Sequence, residues 1–230
     1  LPGVTPSTGL QPLAGAPDEV ITSGLDGLRE RLAVLRNQDF QFTKWRSPLT
    51  LGPGLPTEYA AEANAYTLSQ FAVLSQEAGL VPIVEPEVVM LGDHDMARHF
   101  EVTEWFLRKV FQRLGEHRVL LEGMVLKTNM VLPGTDCPDQ ASVEAVAAAT
   151  LKCLRRAVPA AVPGIAFLSG GQSDKAATEH LNAINTAGPQ PWKVSFSYGR
   201  ALQRAPMTAW AGRADRVAAG QQALYHCARL

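Results

Sequence analysis

The sequence predicts an α/β fold in which parallel strands are covered by helices. Three observations lead there. Short apolar or alternating runs near residues 42, 83, 123, 167 and 195 are each followed by a stretch of helical character. Each of these runs ends in cationic, anionic or glycine-rich residues. The chain is also 46% hydrophobic and 19% charged, a balance that suits a well-packed domain.

Taken in order, residues 1–20 are rich in Pro, Gly, Ser and Thr and read as an irregular segment. The first helix is expected to start near Thr22 or Ser23, with Leu25, Leu28, Leu32 and Leu35 forming one apolar stripe. In the run Phe40 to Pro48, strand alternation puts Phe40, Phe42, Lys44 and Arg46 on one face. Two such cations repel unless an anion lies between them; a solvated edge strand is the other reading. A Gly/Pro loop then leads to a helix from about Thr57 to Glu77, stopped by Gly79. In Leu80 to Val88, the residues Val81, Ile83, Glu85 and Glu87 share a face. Close carboxylates in a dry site hold a proton between them, which suits a general acid, although a salt bridge to a flanking helix would also explain the pair.

A helix from about Asp95 to Gly115 follows, and Asp93-His94-Asp95 reads as its cap and first-turn charge rather than as a metal cluster. The run Leu120 to Val131 reads as a buried strand that carries Lys127 near its end and closes on Pro133-Gly134. Burying an ammonium group is costly, and an amine that sheds its proton attacks carbonyl carbon. Taken alone, a surface lysine with a snorkelling stem is the plainer account. A helix from Ser142 to Val158 stops at Pro159. Gly164 to Gly171 is an apolar strand ending in Ser169-Gly170-Gly171, and Ser173-Asp174 caps the next helix. Backbone N–H groups at such a turn cradle phosphate, while glycine there also serves purely steric needs. Trp192 to Arg200 repeats the plan, with Gly199 followed by a guanidinium placed to fork onto phosphate. A last helix is expected from about Ala214 to Ala228. No repeat or low-complexity tract appears, and residues 1–230 read as one domain.

The totals exclude several classes of function. Lys and Arg number 21 against 22 Asp and Glu, so no charge excess points to nucleic acid or an anionic membrane. No apolar run approaches the roughly 18 residues a membrane span requires. The three cysteines Cys137, Cys153 and Cys227 are odd in number and widely spaced, which fits a reducing compartment.

In a barrel of parallel strands the working groups sit at the strands' C-terminal ends, with phosphate sites after the last two. Lys44 and Arg46, Glu85 and Glu87, Lys127, Ser169-Gly170-Gly171, and Gly199-Arg200 occupy successive strand ends here. The motifs Val81-Pro82-Ile83-Val84-Glu85-Pro86-Glu87, Leu121 through Met130, Phe167 through Ser173, and Phe196 through Leu202 resemble class I (Schiff-base) fructose-bisphosphate aldolase. Lys44-Trp45-Arg46, Gly92-Asp93-His94-Asp95 and Leu181 through Asn185 support the resemblance, which runs nearly the whole chain in order.

The resemblance implies a TIM (β/α)8 barrel, of which this chain supplies the later strands and helices only. It implies a glycolytic lyase that cleaves fructose 1,6-bisphosphate to dihydroxyacetone phosphate and glyceraldehyde 3-phosphate. Lys127 would form the Schiff base, Glu85 would move protons, Glu87 would tune it, and Lys44 would face the substrate hydroxyls. Arg46, Ser169, Gly170, Gly171, Ser197, Gly199 and Arg200 would hold the phosphates. No metal or cofactor is implied, because the iminium is the electron sink. A phosphorylated ketose is the expected ligand, a homotetramer the expected assembly and the cytoplasm, or a plastid, the expected location. Departures from the family pattern include Thr128 in place of Pro, and Thr5 and Ser7 in place of Lys and Asp. The family's strand-one aspartate and C-terminal tyrosine have no counterpart. These departures motivate an alternative, a catalytically inactive aldolase-like fragment that binds or scaffolds. A five-stranded open sheet would leave an apolar edge, so the chain is expected to be a piece of a longer one or to be completed by a partner.

Overall fold

Strand alternation gives the sheet two unlike faces, and that difference organises the fold. In the computed structural model, which describes residues 1–229, the strand Phe42–Leu49 (β4) turns Thr43, Trp45 and Ser47 toward the helices and Lys44 and Arg46 the other way. Thr43 Oγ1 donates to Ser75 Oγ at 2.9 Å, and the Trp45 ring stacks on Phe71 with centroids 5.4 Å apart. Both partners lie on the helix Glu58–Glu77 (α2). Trp45, Phe71, Phe106 and Phe167 are all fully buried in this layer, each worth about 1.5–3 kcal/mol against an exposed reference.

Six parallel strands form the sheet, with β4 flanked by Gly3–Val4 (β1) and Val81–Val88 (β5), followed in order by Val125–Thr128 (β6), Gly164–Phe167 (β7) and Lys193–Phe196 (β8). Helices Met96–Glu116 (α3), Val143–Ala157 (α4) and Asp174–Thr186 (α5) connect them. The expected α/β arrangement of parallel strands with helices outside is therefore present. Capping residues set where the helices begin: Thr57, Asp95, Ser142 and Ser173 each accept a hydrogen bond from a first-turn backbone N–H. Asp95 does so at 2.7 Å from Arg98 N, in line with the capping reading of Asp93-His94-Asp95. Among the described residues no group of His, Cys, Asp and Glu is arranged to hold a metal ion, and no helix is long and apolar enough to cross a membrane.

Several sequence expectations require correction. Residues 1–20 are not irregular: β1 joins the sheet, and Gly9–Leu13 (β2) pairs antiparallel with Ala16–Ser23 (β3). Thr22 and Ser23 complete β3, so the first helix (α1) runs Leu28–Asn37 instead of starting there. The sheet has six strands rather than five, and β4 is flanked on both sides rather than being an edge strand. Of the run Leu120 to Val131 only Val125–Thr128 is strand, because Leu121–Gly123 forms a 3-10 turn. An additional helix, Arg200–Trp210 (α6), precedes the last one, Val217–Arg229 (α7). Pro206 lies inside α6, a position at which proline disfavours helix.

Candidate active site

The face of the sheet turned away from the helices carries the charged residues. Parallel register sets Arg46 opposite Glu85 and Pro48 opposite Glu87 on neighbouring strands. Across the next ladder, Ile83 pairs with Val125 and Val84 with Leu126, so Lys127 stands on the far side of the Glu85 level. Of the two readings of the same-face cations Lys44 and Arg46, the one with intervening anions holds, since Glu85 pairs with Lys44 and Glu87 with Arg46. Their partners lie on the adjacent strands rather than on a flanking helix, which corrects the alternative reading of these carboxylates.

Lys127 Nζ is 3.1 Å from Glu85 Oε1, and Lys44 Nζ is 3.0 Å from Glu85 Oε2. The Glu85 side chain is 4% exposed and that of Lys127 13%, so Lys127 is not a snorkelling surface residue. Glu85 Oε2 makes no well-aligned hydrogen bond, so Lys44 is held there by charge rather than by a directed bond. Arg46 Nε donates to Glu87 Oε2 at 2.5 Å. Burial alone would lower the Arg46 pKa, but the Glu87 hydrogen bond and charge, with Glu85 behind them, outweigh it and raise the guanidinium above its ordinary value. Thr22 Oγ1 donates to the Arg46 carbonyl, tying the β2–β3 hairpin to this strand.

The glycine turn lies after β7, two strands from β5. Ser169 is buried, and its carbonyl accepts from Gln172 N at 3.0 Å. Gly170 and Gly171 have φ of 61° and 100°, left-handed values at which side chains are disfavoured. A Cβ on Gly171 would meet Arg200 Nη2 at 3.6 Å, so the guanidinium at the start of α6 lies over this turn. Gly199 caps α6, its carbonyl accepting from Leu202 N and Gln203 N. The structure thus brings Gly171 and Arg200 together, although the two come from different strand ends. Ser197 is placed differently: its N–H donates to the Phe167 carbonyl at 2.8 Å and continues the β7–β8 ladder, which leaves only its hydroxyl for a ligand.

Two residues absent from the sequence-based site also shape it. Met90 Sδ lies 3.1 Å from the Cβ position of Gly170, beneath the glycine turn. Asn129 Oδ1 accepts from Val88 N at 2.8 Å, and its amide nitrogen donates to Thr103 Oγ1 at 3.1 Å. The available signal for Asn129 was a third polar residue after Lys127 and Thr128, set between the apolar runs Met124–Leu126 and Met130–Leu132. Nothing in the local pattern marks Met90.

Comparison with known proteins places this geometry in a lineage. The family model for fructose-bisphosphate aldolase class I matches residues 1–230. A probable fructose-bisphosphate aldolase class 1 of Xylella fastidiosa is 48% identical over 230 residues, covering all of this chain and 69% of that protein. Fructose-bisphosphate aldolase 2 of Caenorhabditis elegans is 49% identical over 227 residues, covering 98% of this chain and 62% of that protein. The solved fructose-bisphosphate aldolase of Plasmodium falciparum, in complex with TRAP and a small-molecule inhibitor, superposes with a TM-score of 0.97 at 41% identity, over 99% of this chain and 66% of that one. The chain therefore spans about two thirds of the length of the relatives it matches, and its sheet is the corresponding part of a TIM (β/α)8 barrel. From strand ends to overall course, the chain belongs to the class I fructose-bisphosphate aldolase family.

Proposed function

We propose that the chain carries the Schiff-base site of an aldehyde-lyase acting reversibly on fructose 1,6-bisphosphate. The observation that supports this most is the Lys127 amine set 3.1 Å from the buried Glu85 carboxylate, with Lys44 on the carboxylate's other oxygen. Glu85 is positioned to take the proton that frees the amine, and Lys44 keeps a positive charge beside it when it does. The amine attacks the ketone carbon. Glu85 then donates a proton to the departing hydroxyl and water leaves. The Glu85 carboxylate so regenerated takes the proton of the C4 hydroxyl as the C3–C4 bond breaks, the iminium accepts the electron pair, and the aldehyde departs to leave an enamine on Lys127. Glu87 holds Arg46 in place, and Arg46 receives one phosphate. Ser169, Gly170, Gly171, the Ser197 hydroxyl, Gly199 and Arg200 receive the phosphate of the dihydroxyacetone half. No cofactor enters this scheme, and the assembly is a homotetramer in the cytoplasm by family resemblance.

Borohydride reduction in the presence of dihydroxyacetone phosphate tests the reading. The expected result is a covalent adduct on Lys127 found by peptide mass mapping. An unmodified Lys127 in folded protein rejects it. The exposed Thr5 and half-buried Ser7, where the family has Lys and Asp, favour a second reading of phosphate binding without turnover. That reading predicts retained phosphate affinity with no adduct.

A further inference from the structure

Regular pairing between β5 and β6 ends at Val84 and Leu126. Beyond it the two strands carry the groups that have to meet: Glu85 and Glu87 on one, Lys127 on the other. The polar backbone groups at the end of β5 are taken up by side chains instead. Val88 N donates to Asn129 Oδ1 at 2.8 Å. The Val88 carbonyl lies 3.1 Å from His99 Nε2. The other ring nitrogen, His99 Nδ1, accepts from Leu132 N at 3.1 Å. His99 sits near the start of α3 and is fully buried.

These partners fix the tautomer. A carbonyl on one side requires a proton on Nε2, and an N–H on the other requires a bare Nδ1. A second proton would set Nδ1–H against the Leu132 N–H, so an imidazolium cannot keep both bonds. Burial drives the pKa of His99 down to about 4, the Val88 carbonyl opposing and the nearby His94 adding to the effect. His94, stacked at 5.2 Å, is the titratable group facing the ring, and Asp93 and Asp95 act on His94. The polar neighbours in this layer, Asn129, Thr103 and Thr150, carry no charge.

We propose that His99 is a positioning residue of the lysine site: its neutral ring ties the strand end bearing Glu85 and Glu87 to the segment leaving Lys127, and so holds the two groups at reacting distance. The proposal rests on the lyase reading for its functional consequence, not for the tie itself. His99 touches neither Lys127 nor a carboxylate of the site. A purely space-filling histidine would make no use of both nitrogens, whereas here each bond ends on a different side of the β5–β6 opening. Protonation breaks the Leu132 bond and loosens the segment after Lys127, so the site acquires an acid-side gate.

Two measurements test this. Amide hydrogen exchange is followed at Leu132 between neutral pH and about pH 4. Protection at Leu132, corrected for intrinsic exchange, should fall at least tenfold as the His99 ring titrates, while Val88, held by Asn129, stays protected. His99→Phe should lose Leu132 protection at every pH, and His99→Asn, whose carbonyl oxygen can stand in for Nδ1, should restore it without the pH dependence. In parallel, borohydride trapping of dihydroxyacetone phosphate at Lys127 should slow at least tenfold in His99→Phe. The native acid limb should be weakened in His99→Asn. Equal Leu132 protection in native protein and His99→Phe overturns the proposal, as does an acid limb unchanged in His99→Asn. If the native protein forms no adduct at any pH, the lyase reading fails, and the exchange data alone decide whether His99 ties the strands.

Discussion

Lys127 and Glu85 face each other at 3.1 Å across two strands whose regular pairing has already ended. The carboxylate is nearly dry and has a second ammonium, Lys44, on its other oxygen. Two cations sharing one buried anion is an arrangement in which the anion's loss affects both. Glu85→Gln keeps the shape but removes the charge and the transferable proton. Adduct formation at Lys127 should fall by about 10²–10⁴, the usual contribution of a positioned acid–base group. The fold should lose about 3 kcal/mol, because two partly buried ammonium groups are left without their anion. Single-turnover trapping and urea unfolding measure the two effects; trapping at the native rate would remove Glu85 from the chemistry.

The Arg46–Glu87 pair should behave differently, because the Arg46 side chain is 37% exposed. In Glu87→Gln the guanidinium regains part of its hydration, so the expected loss is about 1–2 kcal/mol rather than the full cost of orphaning a buried charge. In the proposed site, Arg46→Ala removes a guanidinium assigned to one phosphate on the β4 side. It should weaken fructose 1,6-bisphosphate binding about tenfold more than dihydroxyacetone phosphate binding, on the scale of one lost charge-assisted contact. Calorimetric titration with the two ligands gives the comparison, and equal losses would place Arg46 at the wrong phosphate.

Residue alternation in β4 and β5 made this site legible. Once Lys44, Arg46, Glu85 and Glu87 are placed on strands, period two puts all four on one face, and parallel register brings opposite charges together. Helix starts were readable for a similar reason, since Thr57, Asp95, Ser142 and Ser173 are caps that act within one turn. Long-range features were not legible. β1 is strand only because β4 offers it a ladder, and the β2–β3 hairpin is built from Gly- and Pro-containing strands with weak local preference. The tie from His99 to Val88 and Leu132 joins residues distant in sequence, so no local pattern could show it.

Stability should depend on pH through His99. Its ring titrates at an ordinary value near 6.5 when unfolded and at about 4 in the native protein. Between those values the unfolded chain binds more protons, so stability rises with pH. The contribution is complete above pH 6.5 and is lost as pH falls through 4. The difference corresponds to about 3 kcal/mol at most. Thermal unfolding recorded across this range should show Tm falling on the acid side. In His99→Phe the curve should start lower, with the Val88 carbonyl and Leu132 N–H left unpaired, and should fall less steeply. Part of the slope remains, because His94 is also held below its ordinary value, chiefly by burial.

Gly171 separates backbone conformation from contact in the glycine turn. The Cβ of Gly171→Ala would lie 3.6 Å from Arg200 Nη2 and 3.9 Å from Met90 Sδ, ordinary van der Waals distances that demand no displacement. Its φ of 100° is the obstacle, worth about 1–2 kcal/mol for a residue with a side chain. The turn relaxes by rotating its peptide planes, which re-aims the N–H groups that would meet a phosphate beneath Arg200. The expected outcome is a rise of about tenfold in the dihydroxyacetone phosphate concentration needed for half-maximal trapping at Lys127, with a stability loss near 1 kcal/mol. Gly115→Ala is the matched control. Gly115 lies within α3, a Cβ there meets nothing within 4 Å, and alanine in a helix is favoured over glycine by about 0.5–1 kcal/mol. It should therefore stabilise the fold and leave half-maximal trapping unchanged. If both alanines shift trapping equally, the effect is global and the glycine turn holds no phosphate.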